Sequence, residues 1–370
     1  MGIDLLDFDR INRTSKDKLN FGKEQLVEAL TRITEINDLK ELRNQIASIS
    51  LNVKNEASIN DFEYNNEEPI FGLSTQTLLE ELKQILETYS LERSQYYVKR
   101  LVKALTTKKS SKINDLDLNR WKEYEEILTD SLWIMEKRDR SGAHNAGYWG
   151  NFIPQIPQQL MKRYTKKDEW VLDTFVGSGT TLIECKRLGR NGIGIDLSKD
   201  ALDATKDNLS KEENKFGVKT ELFNADSATL DYKHMLDLAG AKSVQLVIMH
   251  PPYWDIIKFS ENEKDLSNAI DEKSFLDGIR AIGKKSYEIL DRSRYLALVI
   301  GDKYSKGEWI PLGFESMNEL RNIGFKLKSV IVKNFDVTKG KRNQEDLWRY
   351  RALVGGFYVF KHEYVFIFQR

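Results

Sequence analysis

The chain has 370 residues, 40% hydrophobic and 31% charged, a balance ordinary for a core-forming protein of one large or two smaller domains. Its 57 Lys and Arg equal its 57 Asp and Glu, so there is no global pull toward a polyanion and any nucleic-acid contact must rest on local basic surface. A single cysteine, Cys185, and four scattered histidines exclude an internal disulfide and a cysteine-rich zinc site, and no metal is expected.

The opening residues, Met1 to Asp9, are acidic and lack the basic-then-apolar order of a secretory signal. No apolar run approaches the roughly 20 residues of a membrane helix, so a cytoplasmic setting without membrane contact is expected. Leu26, Leu30, Ile33, Leu39 and Leu42 recur at helical intervals, with no glycine between Gly22 and Gly72. Asn65-Asn-Glu-Glu-Pro69 interrupts this pattern. Ser74-Thr-Gln-Thr77 then caps a second predicted helix with the stripe Leu78, Leu82, Ile85 and Leu86. A third, Tyr96 to Leu105, carries Lys99, Arg100 and Lys103 and runs into Lys108, Lys109 and Lys112. The spacing of Trp121, Tyr124, Leu128, Leu132 and Met135 predicts a fourth over Leu118 to Lys137. Residues 1–137 therefore read as a helical region, a candidate for contact with DNA or a partner protein, or for homodimerisation.

From Arg138 onward short apolar runs alternate with helical stretches. Trp170 to Asp173, Gly192 to Asp196, Val244 to Ile248 and Tyr295 to Ile300 read as buried strands. Helices are predicted near 180–189, 198–211, 274–290 and 313–323. Such alternation predicts an α/β fold, a doubly wound, mostly parallel sheet over 138–370. Phe325 to Phe335 and Phe357 to Gln369 read as two long strands without a core helix between them, an antiparallel edge hairpin.

Asp173-Thr-Phe-Val-Gly-Ser-Gly-Thr-Thr181 follows a strand and opens a helix. Gly177 and Gly179 allow a tight turn and close approach of a ligand, while amides at the helix start favour an anionic group. The next strand delivers Asp196, placed to accept hydrogen bonds from ribose hydroxyls. Asp226 follows a third strand, where its carboxylate can accept from an adenine amino group. The turn lacks the Gly-Lys-Ser/Thr ending of a nucleotide-phosphate loop.

Val247-Ile-Met-His250-Pro-Pro-Tyr-Trp254 ends a buried strand abruptly. Consecutive prolines stiffen the exit and remove two donors, leaving carbonyls free to accept from an amino group. Tyr253 offers a stacking face for an extruded base. Trp254 reads either as pocket lining or as a core indole.

Together these segments resemble the amino-group DNA methyltransferases, which act on adenine N6 or cytosine N4. Asp173 to Thr181 is similar to that family's cofactor motif, with Thr174 replacing a proline, and His250 to Tyr253 is similar to its catalytic motif. Gly150-Asn-Phe-Ile-Pro-Gln-Ile-Pro157 is similar to the segment that holds the cofactor's methionine part, and His362 to Phe368 to the closing strand. The resemblance covers roughly residues 140–370. It implies a class I, Rossmann-like domain with a seven-stranded sheet, S-adenosylmethionine as cofactor and double-stranded DNA as partner, with restriction-modification and a defence-system partner as candidate associations. It places Phe152, Pro154, Asp173, Phe175, Gly177, Gly179, Thr180, Asp196 and Asp226 at the cofactor, and His250, Pro251, Pro252 and Tyr253 at a flipped base. The role of Asp302 stays open.

His250 stands where the family has Asp, Asn or Ser. Only a neutral imidazole accepts a hydrogen bond, so activity is expected to fall as His250 protonates, between about pH 8 and pH 5.5. The alternatives are that Pro251's carbonyl and Tyr253 suffice, or that the chain is an inactive DNA-binding subunit. An RNA amino-methyltransferase is a further alternative. DNA-contact candidates are Lys99 to Lys112 and the loop 335–356, with Lys339, Lys341, Arg342, Arg349 and Arg351; the loop 255–273 is a candidate for target recognition.

Overall fold

The computed structural model describes residues 22–60, 73–144, 150–335 and 345–370. The chain divides into two compact units, one of Met1–Ser110 and Asp117–Glu125, the other of Ser111–Leu116 and Glu126–Arg370. The first holds α1 (Lys23–Ile33), α2 (Leu39–Asn60), α3 (Thr75–Leu86) and α4 (Leu91–Thr106). Ser74 Oγ accepts from the Thr77 amide at 3.1 Å, the cap its sequence predicts. Leu26, Leu30, Leu42, Ile46, Leu78, Leu82 and Val98 are fully buried in one core, each side chain contributing about 1.5–3 kcal/mol.

The predicted helix over 118–137 does not form. A short 3-10 helix spans Leu118–Glu123 and a two-residue strand, β1 (Leu132–Trp133), lies farther on. The backbone of the later part finds partners elsewhere: Leu128 N donates to Gln159 Oε1 at 2.8 Å and Met135 N to Asn334 Oδ1 at 2.7 Å. Those tertiary bonds override the helical spacing: Trp121 and Leu132 of its stripe stay exposed, while Trp133, which lies off the stripe, is buried.

The second unit is the expected α/β layer structure. It comprises α5 (Gln155–Tyr164), β2 (Trp170–Asp173), α6 (Thr180–Leu188), β3 (Asn191–Asp196), α7 (Lys199–Lys211), β4 (Thr220–Asn224) and α8 (Tyr232–Ala239). Next come β5 (Val244–Met249), α9 (Glu272–Ile289), β6 (Leu290–Ile300), β7 (Lys303–Ser305), β8 (Glu308–Ile310) and α10 (Leu312–Ile323). β9 (Lys326–Asn334), α11 (Glu345–Gly355) and β10 (His362–Gln369) close the chain. Among the described residues the sheet has eight strands rather than seven, in the order β1-β9-β10-β6-β5-β2-β3-β4, because β1 adds itself parallel to β9. The terminal hairpin is antiparallel as predicted, but it is not a bare edge: β10 lies between β6 and β9, and β1 covers β9. Helix α11 interrupts its connection, and its residues 346, 347 and 349–351 are exposed.

Alternation explains why the strands read as continuous apolar runs. Val171, Leu246, Ile248, Ala297, Val299, Val365 and Ile367 pack on the face with Ile156 and Leu160 of α5. Their neighbours Leu172, Val247, Met249, Leu296, Leu298, Ile300, Phe366 and Phe368 pack against α8, α9 and α10. Strand order reverses between β2 and β5, where their carboxyl ends open a crevice.

Candidate active site

A cavity of about 890 Å³ opens at that reversal. The glycine turn forms one wall. Gly177 and Gly179 adopt φ of +53° and +88°, a left-handed backbone that favours glycine. The turn is tied down from outside: Val176 N donates to Ile195 O at 2.9 Å, Thr205 Oγ1 to Gly177 O at 2.7 Å and Asn208 Nδ2 to Ser178 O at 2.9 Å. Asp196 accepts from the Gly177 amide at 2.9 Å and from the Ser198 amide at 2.8 Å. Burial holds its carboxyl above the usual carboxylate range, against the pull of these two bonds.

Phe152, Phe175, Gly177, Asp196 and Asp226 all line the cavity. Asp226 is fixed by the Ala228 amide at 2.8 Å and the Thr229 hydroxyl at 2.9 Å. Other expected contacts lie behind this wall. Asp173 is buried, accepts from the Phe175 amide and the Thr181 hydroxyl, and organises the turn from beneath. Burial raises its carboxyl to about 6. Gly179 and Thr180 begin α6, and Pro154 precedes α5; none of the three lines the cavity. Asn151 does, and links the walls by donating to Ser178 Oγ at 2.9 Å and accepting from Thr180 Oγ1 at 2.5 Å. Arg138 pins the same segment through the carbonyls of Asn151 and Phe152, at 3.2 and 2.9 Å.

The opposite wall is the exit of β5. His250, Pro251, Pro252 and Tyr253 all line the cavity. The His250 ring stands edge-on to Phe152 with centroids 4.7 Å apart, and to Tyr253 at 5.8 Å. Burial drives its imidazole down to about 4; the Glu363 carboxylate opposes this and the Lys333 ammonium reinforces it. The Tyr253 ring crosses Gly301, where a Cβ would lie 2.9 Å from Cε2. Its hydroxyl donates to Glu363 Oε2 at 2.7 Å. Burial and that carboxylate hold the phenol well above its ordinary value, so it stays protonated.

Trp254 does not line the cavity. Its Nε1 donates to Ala269 O at 2.8 Å, Lys303 Nζ lies 3.8 Å above its ring, and the half-buried indole packs against the core. Asp302 is buried and accepts from Gly313 N at 2.9 Å and Trp309 Nε1 at 3.0 Å, bracing β8 and the start of α10. The loop 255–273 walls the cavity with Ile256, Phe259 and Leu266. Lys339, Lys341 and Arg342 lie outside the described residues; Arg349 and Arg351 are exposed on α11. Lys99, Lys103, Lys108, Lys109 and Lys112 are exposed, whereas Arg100 is engaged by Glu81 and by Gln84.

Glu363, Lys333 and Asn151 are site residues that the sequence reading passed over. A charge beside an apolar run, Lys333 after Val330 to Val332 and Glu363 before Tyr364 to Phe368, is the available signal for the first two. Among the described residues Asp139, His144 and Glu184 cluster closely enough for a cation. Arg187 already lies 3.2 Å from Glu184 and 3.3 Å from Asp139, meeting their charge.

The family model of N6/N4 DNA methylases, described as DNA methylase, matches residues 20–207, just over half the chain and the cofactor-motif side of the cavity. A type II methyltransferase M.MjaII of Methanocaldococcus jannaschii is 29% identical over 199 residues, 42% of this chain and 37% of the relative. The type II methyltransferase M2.LlaDCHI of Lactococcus lactis subsp. cremoris is 36% identical over 99 residues, 26% of this chain and 34% of the relative. The chain thus matches about a third of the length of these curated relatives. Among solved structures, TrmN from Thermus thermophilus aligns with TM-score 0.38 at 15% identity, covering 59% of this chain and 49% of that one. S-adenosylmethionine is the cofactor that the family implies. The cavity fits it: a left-handed glycine turn after β2 admits a ligand against bare backbone, a carboxylate ends the neighbouring β3, and another follows β4.

Proposed function

The chain belongs to the N6/N4 DNA methylase family, and from that premise we propose that it methylates the exocyclic amino group of adenine or cytosine in double-stranded DNA. The observation that carries this reading is one cavity shared by the glycine turn with Asp196 and the His250-Pro-Pro-Tyr253 exit. When bound, the cofactor supplies an electrophilic methyl group on its sulfonium. Asp196 would take its ribose hydroxyls, Asp226 its adenine amino group, and Phe152, with the segment that Asn151 anchors, its methionine end. Asp173, Gly179 and Thr180 would act indirectly, by holding the turn in shape.

The remaining wall would receive a base flipped out of the duplex. Neutral His250 and the Pro251 carbonyl supply acceptors for the two N–H donors of an amino group, and the Tyr253 ring supplies a stacking face. Orienting the amine lone pair and excluding water are then the protein's main contributions. Ile256 and Phe259 of the loop over the cavity serve the second purpose. Exposed Lys99, Lys103, Lys108 and Lys109, together with Arg349 and Arg351, are proposed phosphate contacts. A restriction-modification setting accords with the type II names of those relatives. No helix among the described residues is long and apolar enough to cross a membrane.

The test is transfer from labelled cofactor to unmethylated duplex DNA, followed by nucleoside analysis. Labelled N6-methyladenine or N4-methylcytosine, lost in Tyr253→Ala, is the expected result and also identifies the target atom. Label on RNA alone, or none despite cofactor binding, overturns the proposal.

A further inference from the structure

Lys333 on β9 and Glu363 on β10 stand opposite each other in the antiparallel register. Their ion pair, Nζ to Oε1 at 3.0 Å, is buried, with side chains only 6% and 11% exposed. Both share a sheet face with Ile331, Val365 and Ile367, which build the apolar core on the α5 side. At such a place a well-packed apolar pair is often as stable as an ion pair or more so. Packing therefore does not account for two charges here. Their location does: both line the cavity behind the β5 exit. Glu363 spends its second oxygen on the Tyr253 hydroxyl, at 2.7 Å, and that hydroxyl lies 3.4 Å from His250 Nε2.

We propose that the Lys333–Glu363 pair is a positioning device for the His250-Pro-Pro-Tyr253 turn. Glu363 holds the Tyr253 hydroxyl and with it the ring that closes one side of the cavity. Burial sets the low proton affinity of His250, and the two opposite charges trim it in opposite directions. This deepens the methyl-transfer reading and rests on it for its consequence, since only a neutral imidazole offers a lone pair to a target amine.

Facing His250, Phe152 ahead of α5 is apolar and contributes only desolvation. Tyr253, on the same turn, is held as the neutral phenol. Glu363 from β10 favours the imidazolium, and Lys333 from β9 disfavours it. Removing either charge must therefore move His250 in opposite directions. Disturbed packing alone would not produce that sign difference.

The test reads His250 directly in the full-length chain, by NMR of the imidazole C–H signals during a pH titration. Four histidines make the spectrum assignable, with His250→Asn identifying the resonance. Lys333→Met is expected to raise the midpoint by about one pH unit, the scale of a nearby charge. Glu363→Gln, which still accepts from Tyr253, is expected to lower it, and Lys333→Arg to leave it in place. Lys333→Gln serves if the methionine variant does not fold. With methyl transfer active, the acid limb of kcat should follow the NMR midpoints. Midpoints that stay put, or that move the same way in both charge-removing variants with the fold intact, overturn the proposal. Opposite shifts without any transfer to DNA leave the device standing and remove the methyltransferase reading instead.

Discussion

Gly179 and Thr205 meet so closely that a Cβ built on the glycine would lie 2.7 Å from Thr205 Cγ2. The same threonine holds the turn through its bond to Gly177 O, so the contact couples α7 to the cofactor wall. Gly179→Ala adds that clash to a left-handed backbone, whose strain alone is about 1–2 kcal/mol for a residue with a Cβ. The variant should melt several degrees lower and bind S-adenosylmethionine about tenfold more weakly, as 1.4 kcal/mol would give. Adding Thr205→Ser removes the clashing methyl, keeps the hydroxyl, and should restore part of both losses. Differential scanning calorimetry and isothermal titration decide; wild-type values in Gly179→Ala would show that the contact is slack.

Asp196 joins shape to recognition, because the carboxylate facing the cavity also accepts the Gly177 and Ser198 amides. Asp196→Ala leaves both donors without that acceptor, at about 1–3 kcal/mol for each one kept from water. Cofactor affinity should drop tenfold or more. Asp196→Asn retains one acceptor oxygen and should fall between the two. Affinity unaffected by either variant would remove Asp196 from the cofactor site.

Local order was the legible part of this chain. The glycine turn, the acid after β3 and the double-proline exit each lie within a few consecutive residues. Strand and helix alternation located α6, α7, α9 and α10 to within two residues at either end. What escaped was set by distant contacts. Glu363 reaches Tyr253 across 110 positions, and no local pattern connects them. The fourth N-terminal helix failed for the same reason: its backbone bonds to Gln159 and Asn334, residues that its own spacing cannot reveal. The motif's order puts Asp173 at the cofactor; in the fold it is the buried post on which the turn is built.

That burial gives Asp173 a pH signature. Its carboxyl is raised from 3.8 to about 6, so the folded chain keeps a proton that the unfolded chain has released across this window. Its contribution to stability therefore declines as pH rises from about 4 to 6, and above that the fold carries a buried carboxylate. Asp173→Asn can still accept from the Phe175 amide and can donate to Thr181. Its melting temperature relative to wild type should be more favourable at pH 7.5 than at pH 4.5. A difference between the two proteins that does not change with pH would contradict the buried ionisation.

His250 has the opposite signature, and it moves the window in which the catalytic role can be judged. The imidazole is lowered from 6.5 to about 4, so on acidification the unfolded chain takes up the proton first. The stability linked to neutral His250 is complete above about pH 6.5 and is lost as pH falls toward 4. His250→Asn lacks this linkage, so any stability advantage of wild type over that variant should shrink across the same range. Methyl transfer at saturating substrates should pass through pH 6.5 undiminished and fail only near pH 4, provided the fold persists. A flat rate down to pH 5.5, which an ordinary histidine would not allow, is thus the expected behaviour of a working His250. A rate that halves near pH 6.5, with the NMR midpoint of His250 at the same value, would show that the ring is solvated and that the wall around it is open.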